Sequence, residues 1–131
     1  MQSSSFPSVT FTATPVSGAG RGKKMNVPTI NLDTGSVPGQ LSFGVYACLV
    51  SLDDGSTWLQ SAVHYGPRPV FQDSVSCEVH LLDVSPASPP PLVQVRVIAK
   101  LRDVQNFSGP QALKDAIAHD IRQTRAILNS I

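Results

Sequence analysis

Leu92-Val-Gln-Val-Arg-Val-Ile-Ala-Lys-Leu-Arg102 decides the first reading of this chain. Successive side chains of a strand point to opposite faces, so Gln94, Arg96, Lys100 and Arg102 fall on one side and Val93, Val95, Val97, Ala99 and Leu101 on the other. A sheet built from such strands buries one face and offers the other to an anionic partner. The pattern points to a binding surface rather than a catalytic pocket. No motif in the sequence states a reaction, and no enzymatic activity is expected.

Outward from that strand, the 131 residues suit one domain, and 41% apolar content supplies a core. The net charge of +1 gives no global field for polyanions, so any nucleic-acid affinity must come from local charge placement or from many copies. Residues 8–14 alternate and are rich in β-branched side chains, and 27–33 can return alongside them, with Gly18-Ala-Gly-Arg-Gly-Lys-Lys24 as a basic tip. Residues 41–52 and 57–65 flank Asp53-Asp-Gly-Ser56, a strong hairpin signal. A further strand over 70–84 is separated from the basic strand by Ser85-Pro-Ala-Ser-Pro-Pro-Pro91. The C-terminal helix opens at Ser108-Gly-Pro110, where Ser can cap and Pro suits the first turn. Its apolar positions, Leu113, Ala116, Ile117, Ile121, Thr124, Leu128 and Ile131, follow helical spacing.

The expected fold is therefore α+β: an N-terminal β-hairpin (8–33), an antiparallel meander sheet of four to five strands (41–104) and a C-terminal α-helix (108–131), in one domain spanning 1–131. Four strands at about 4.8 Å spacing are roughly 19 Å wide, whereas a helix is only about 10–12 Å across. One helix cannot cover that sheet. A second copy, pairing its edge strand and laying its own helix over the joint sheet, would close it, and a homodimer is expected on those grounds.

This order of elements resembles that of the coat proteins of single-stranded RNA bacteriophages, over nearly the whole chain. The resemblance implies a fold in which the sheets of two subunits form one surface facing RNA, the helices interlock outside, and dimers assemble into an icosahedral shell. It places residues 41–52, 57–65, 74–84 and 92–104 in the sheet, and Ser85, Pro86, Pro89, Pro90 and Pro91 in a loop between dimers. Leu113, Ile117, Ile121 and Leu128 would then form the dimer interface. The implied protein is a capsid component of a virion, assembled in the host cytoplasm. Its partners would be itself and single-stranded RNA. The alternative is a small non-enzymatic viral accessory or particle-scaffolding protein that acts through protein contacts only.

On that reading the RNA face would bear Gln94, Arg96, Lys100 and Arg102 with Ser76 and His80 from one neighbouring strand, Gln60 and His64 from another, and Tyr46. Glu78 shares the face and would repel phosphate unless paired. The plainer alternative is a solvated face on which Glu78 pairs with Arg96 or Lys100 across strands. Gly18-Ala-Gly-Arg-Gly-Lys-Lys24 lacks the spacing of a nucleotide-binding loop. Asp53 and Asp54 are accounted for by turn chemistry. Cys48 and Cys77 lack metal-site spacing and are expected as buried free thiols. His119 lies on the polar face of the helix. Neither a metal nor a cofactor is expected, and no apolar run is long enough to cross a bilayer.

Overall fold

The computed structural model describes residues 9–16, 29–67, 74–86, 88 and 90–131. Among the described residues six strands, β1 (Val9–Ala13), β2 (Thr29–Leu32), β3 (Gly44–Ser51), β4 (Leu59–Pro67), β5 (Val75–Leu81) and β6 (Val93–Arg102), precede one helix, α1 (Pro110–Asn129). A 3-10 turn, Thr34–Ser36, follows β2; Asp33 caps it by accepting from the Gly35 amide at 3.3 Å.

The β3–β4 hairpin turns through Asp54 and Gly55, both with left-handed φ (59° and 86°). Gly55 takes that conformation at no steric cost. Ser51 Oγ donates to Asp53 Oδ1 at 2.9 Å and accepts from the Gly55 amide at 2.8 Å, while Asp53 Oδ1 also accepts from the Thr57 amide at 2.9 Å. These bonds hold the Asp53 carboxyl below the usual carboxylate range, the Thr57 amide first among them.

All pairings are antiparallel, in the order β1-β6-β3-β4-β5-β2. The meander of the sequence reading is therefore overturned: β6 passes β5 and pairs with β3, so consecutive strands β5 and β6 are not neighbours in the sheet. The N-terminal hairpin is overturned as well. β1 pairs with β6 and β2 with β5, on opposite edges of the sheet. Those edges meet at one corner, where Pro15 bridges Leu32, Val16 N donates to Asn31 O at 2.8 Å, and Asp33 N donates to Thr14 O at 2.9 Å. The sheet is thus curled into a half-barrel pinned at that corner.

Curling moves the core to the concave side, where Phe11, Ile30, Leu32, Tyr46, Cys48, Val50, Val63, Val79, Leu81, Val93 and Val95 interlock. Both free thiols are buried there, and burial is the main force pushing them up, Cys77 to about 12. The convex side carries a second, smaller cluster of Ala47, Ala99 and Leu128 with Leu49, Ile98, Leu101 and Ile127, where α1 lies across β3, β4 and β6. The concave side fills itself and the two edges are joined at one corner. The geometric case for a second copy therefore falls away, and Leu128, expected at a dimer interface, packs on its own sheet. Leu113, Ile117 and Ile121 are half-buried along α1.

Candidate functional site on the convex face

The basic face read from β6 does not exist as one surface. β3 and β6 slip register twice, at Ala47/Cys48 and at Val45/Tyr46, so that Ile98 and Leu101 are extra residues in β6. Each bulge inverts the alternation beyond it. Lys100 lies opposite Tyr46, while Arg102 lies opposite Val45 on the other side of the sheet. Lys100 is so close to the β3 backbone that a Cβ at Gly44 would meet its Cε at 2.6 Å. Its ammonium pairs with Asp103 at 2.8 Å, and that contact raises its pKa. Arg96 stacks over Trp58, 4.2 Å from the ring centroid.

Arg102 forms a fork with the helix: Nε donates to Asp120 Oδ1 at 2.9 Å and Nη2 to Oδ2 at 2.8 Å. Asp120 is buried, and its backbone carbonyl accepts from Thr124 Oγ1 at 2.8 Å. This pair fastens the middle of α1 to the sheet. Asp83–Arg125 at 2.8 Å and Gln60–Asn129 at 2.8 Å fasten its C-terminal half.

Beside the fork, the cross-strand register assembles two rows of convex-face residues. One runs Arg102, Val45, His64, Glu78, Asn31; the next runs Ala99, Ala47, Ala62, His80, Thr29. Glu78, the chain's single glutamate, lies at the centre of the polar part. Ser76 Oγ donates to its Oε2 at 3.1 Å, and its Oε1 is 3.9 Å from His80 Nε2. Burial lowers the pKa of both histidines. The Glu78 charge opposes that shift at each ring, as does Asp120 at His80, while His80 and Arg102 add to the lowering at His64. Both rings are therefore neutral at pH 7. His64 is only 6% exposed, yet neither ring nitrogen has a hydrogen-bond partner among the described residues, and the same holds for Nδ1 of His80. A carboxylate that can accept a proton, flanked by buried neutral imidazoles with unused polar atoms, is a site built to receive a polar group.

Of the residues expected on an RNA face, the structure brings His64, Ser76, His80 and Arg102 to this site. Tyr46 is in the core, with its hydroxyl donating to Ser42 O at 2.7 Å. Gln60 and Arg96 share a row with Leu49 farther along the strands, and Gln94 lies opposite Ser51 near the hairpin turn. Ser85 and Pro91 are exposed, Pro86 and Pro90 half-buried. Pro89 and the basic segment Gly18-Ala-Gly-Arg-Gly-Lys-Lys24 lie outside the described residues. Sequence reasoning passed over Thr29 and Asn31 as part of a plain returning strand and treated Glu78 as an electrostatic misfit. The available signal was the alternation Ser76, Glu78, His80, which puts the lone glutamate between two polar side chains on one face.

Among solved structures, the chain is similar to the one described as a macrolide-efflux protein from Streptococcus pneumoniae, with TM-score 0.77 and 23% identity over 90% of this chain. The chain spans only 38% of that protein's length. It is also similar to riboflavin kinase from Trypanosoma brucei, with TM-score 0.61 and 20% identity over 96% of this chain and 83% of that one. At these identities the likeness establishes the fold. No curated protein sequence matches the chain. The family model for riboflavin kinase matches residues 7–128. This match overturns the RNA-phage coat reading and all that followed from it: capsid and virion, a self-assembling homodimeric shell, a single-stranded RNA partner, the accessory-protein alternative and the absence of enzymatic function. Element order alone had carried that resemblance, and the actual strand order differs. Matched over nearly its whole length, the chain belongs to the riboflavin kinase family.

Proposed function

We propose that the protein phosphorylates riboflavin, transferring the terminal phosphoryl group of ATP to a hydroxyl of the ribityl chain, with Glu78 as the general base. The match of residues 7–128 to the riboflavin kinase family carries the reading. The convex-face site supports the assignment of roles. Phosphoryl transfer to an alcohol needs little covalent help from the protein; it needs positioning and a group that accepts the hydroxyl proton. Five of the eight aspartates are committed elsewhere: Asp83, Asp103 and Asp120 to cations, and Asp33 and Asp53 to turns. Glu78 is half-buried, held by Ser76 and beside a neutral histidine, so its second oxygen can meet a substrate hydroxyl. Asn31, opposite Glu78 on β2, places a carboxamide donor next to that point, suited to a phosphate oxygen.

In this mechanism the hydroxyl oxygen forms a bond to the terminal phosphorus, the bond from that phosphorus to the bridging oxygen breaks with its electron pair leaving on ADP, and the hydroxyl proton passes to Glu78. The test is to incubate the purified protein with riboflavin and the magnesium salt of ATP and to separate the flavins by chromatography with fluorescence detection. Wild type should yield riboflavin monophosphate, and Glu78→Gln should lower kcat by about 100-fold or more, as loss of a general base does. No phosphorylated flavin from wild type, or an undiminished Glu78→Gln enzyme, would refute the assignment.

A further inference from the structure

We propose that His64 is a substrate-contacting residue, its ring N–H donating a hydrogen bond to the same hydroxyl oxygen whose proton Glu78 accepts. The inference rests on the riboflavin kinase reading and extends it to a residue with no evident structural duty. His64 faces Glu78 directly across the β4–β5 pairing, and directly opposed side chains on one face of an antiparallel pair have Cβ atoms about 4.5–5.5 Å apart. That spacing lets both side chains reach one small group between them.

The polar inventory of His64 sets it apart. A neutral imidazole has one donor and one acceptor, and here neither finds a partner among the described residues although the residue is buried. An unsatisfied buried polar group is costly, and those that persist in a folded protein call for a physical reason. The ionisable groups that act on the ring are Glu78 and His80 on β5 and Arg102 on β6, the last engaged by Asp120 of α1. Arg102 directs Nε and Nη2 to Asp120 of the helix and Nη1 to the Asp103 carbonyl, and leaves the imidazole unbonded. His80 differs, because its Nε2 is turned toward Glu78.

Stereochemistry makes the two roles compatible. A primary alcohol oxygen has one proton and two lone pairs. With the proton directed at Glu78 and one lone pair accepting from His64, the second lone pair is left to attack phosphorus. His64 thereby fixes the rotation of the hydroxyl about its C–O bond, the remaining freedom that Glu78 alone does not remove.

The experiment compares wild type, His64→Leu and His64→Gln under steady-state conditions, varying riboflavin and ATP separately. His64→Leu should lower kcat/KM for riboflavin by about 10-fold, in keeping with one lost hydrogen bond, with KM for ATP unchanged. His64→Gln, which keeps an N–H donor, should recover most of the loss. Because the leucine variant can fail to fold, the wild-type protein labelled with 15N at histidine gives a second reading. Riboflavin should move the ring-nitrogen resonances of His64 while leaving those of exposed His119 in place, each assigned by substitution. An active enzyme in which His64→Leu matches wild type, or in which the His64 resonances stay fixed at saturating riboflavin, overturns this proposal and leaves the kinase reading standing. A wild-type protein that does not phosphorylate riboflavin overturns both.

Discussion

Replacing Asp120 by alanine should destabilise the protein severely, because it leaves the Arg102 guanidinium facing the helix without its partner. The pair is bidentate, with contacts of 2.9 and 2.8 Å, and the Asp120 side chain is 5% exposed against 18% for Arg102. Removing one member of a fully buried pair costs about 3–5 kcal/mol, and the partial exposure of Arg102 brings the expectation to roughly 2–4 kcal/mol. For a chain of this size that corresponds to a fall in Tm of about 8–15 °C. Urea titration followed by circular dichroism gives the free energy directly, with Asp115→Ala on the exposed side of α1 as the comparison. Arg102→Met and the double variant complete a cycle. The double variant should be more stable than the sum of the single losses predicts, by at least about 1 kcal/mol, since it buries no lone charge. Strictly additive losses would show that the fork does not couple helix to sheet, and the account given for the placement of α1 would fail.

Two further outcomes follow from the backbone and from the buried imidazoles. Gly66→Ala should cost about 2 kcal/mol or more, because Gly66 has φ of 146° and a Cβ there would lie 2.8 Å from Val104 Cγ2 and 3.2 Å from Phe43; a variant with an unchanged urea midpoint would disprove the strain. Stability should also decline as pH falls below about 6.5, the titration point of an unperturbed histidine. His64 and His80 have lowered pKa values in the folded state, so the unfolded chain binds more protons in that window. Urea midpoints at pH 7.5 and 5.5 test this, and His80→Asn should flatten the dependence. An equal or higher midpoint at the lower pH would contradict the sign.

Local chemistry was legible in the sequence; long-range pairing was not. The β3–β4 hairpin could be read because Asp54 and Gly55 supply the left-handed conformations the turn requires, a demand met within six residues. The helix could be read from Pro110 in its first turn and from its apolar period, and it spans Pro110–Asn129, with Gly109 at the N-cap in place of the expected Ser108. Nothing local distinguishes a β6 that pairs with β5 from one that crosses to β3, because both choices bury the same valines. The two bulges were equally hidden. The alternation rule assumes an unbroken pleat, and the extra residue Ile98 separates Arg96 from Lys100 as Leu101 separates Lys100 from Arg102, although each pair should share a face by period. The candidate site was half legible for the same reason: Ser76, Glu78 and His80 lie on one undisturbed stretch of β5, whereas Thr29, Asn31, Arg102 and Asp120 reach it only through the strand order.

The pairing of β1 with β6 has a consequence for how the protein is made. Val9 takes Val97 as its partner, and Ala13 takes Val93, so β1 must wait for a segment about 80 residues farther along the chain to leave the ribosome. At about 5–20 residues per second the delay is several seconds. Throughout it, Val9–Ala13 is an unpaired, uncharged, β-branched stretch of the kind that associates with other nascent chains. A ribosome stalled before β6 would therefore expose a sticky segment that the finished sheet conceals, and the chain's yield should depend on how quickly its second half is translated.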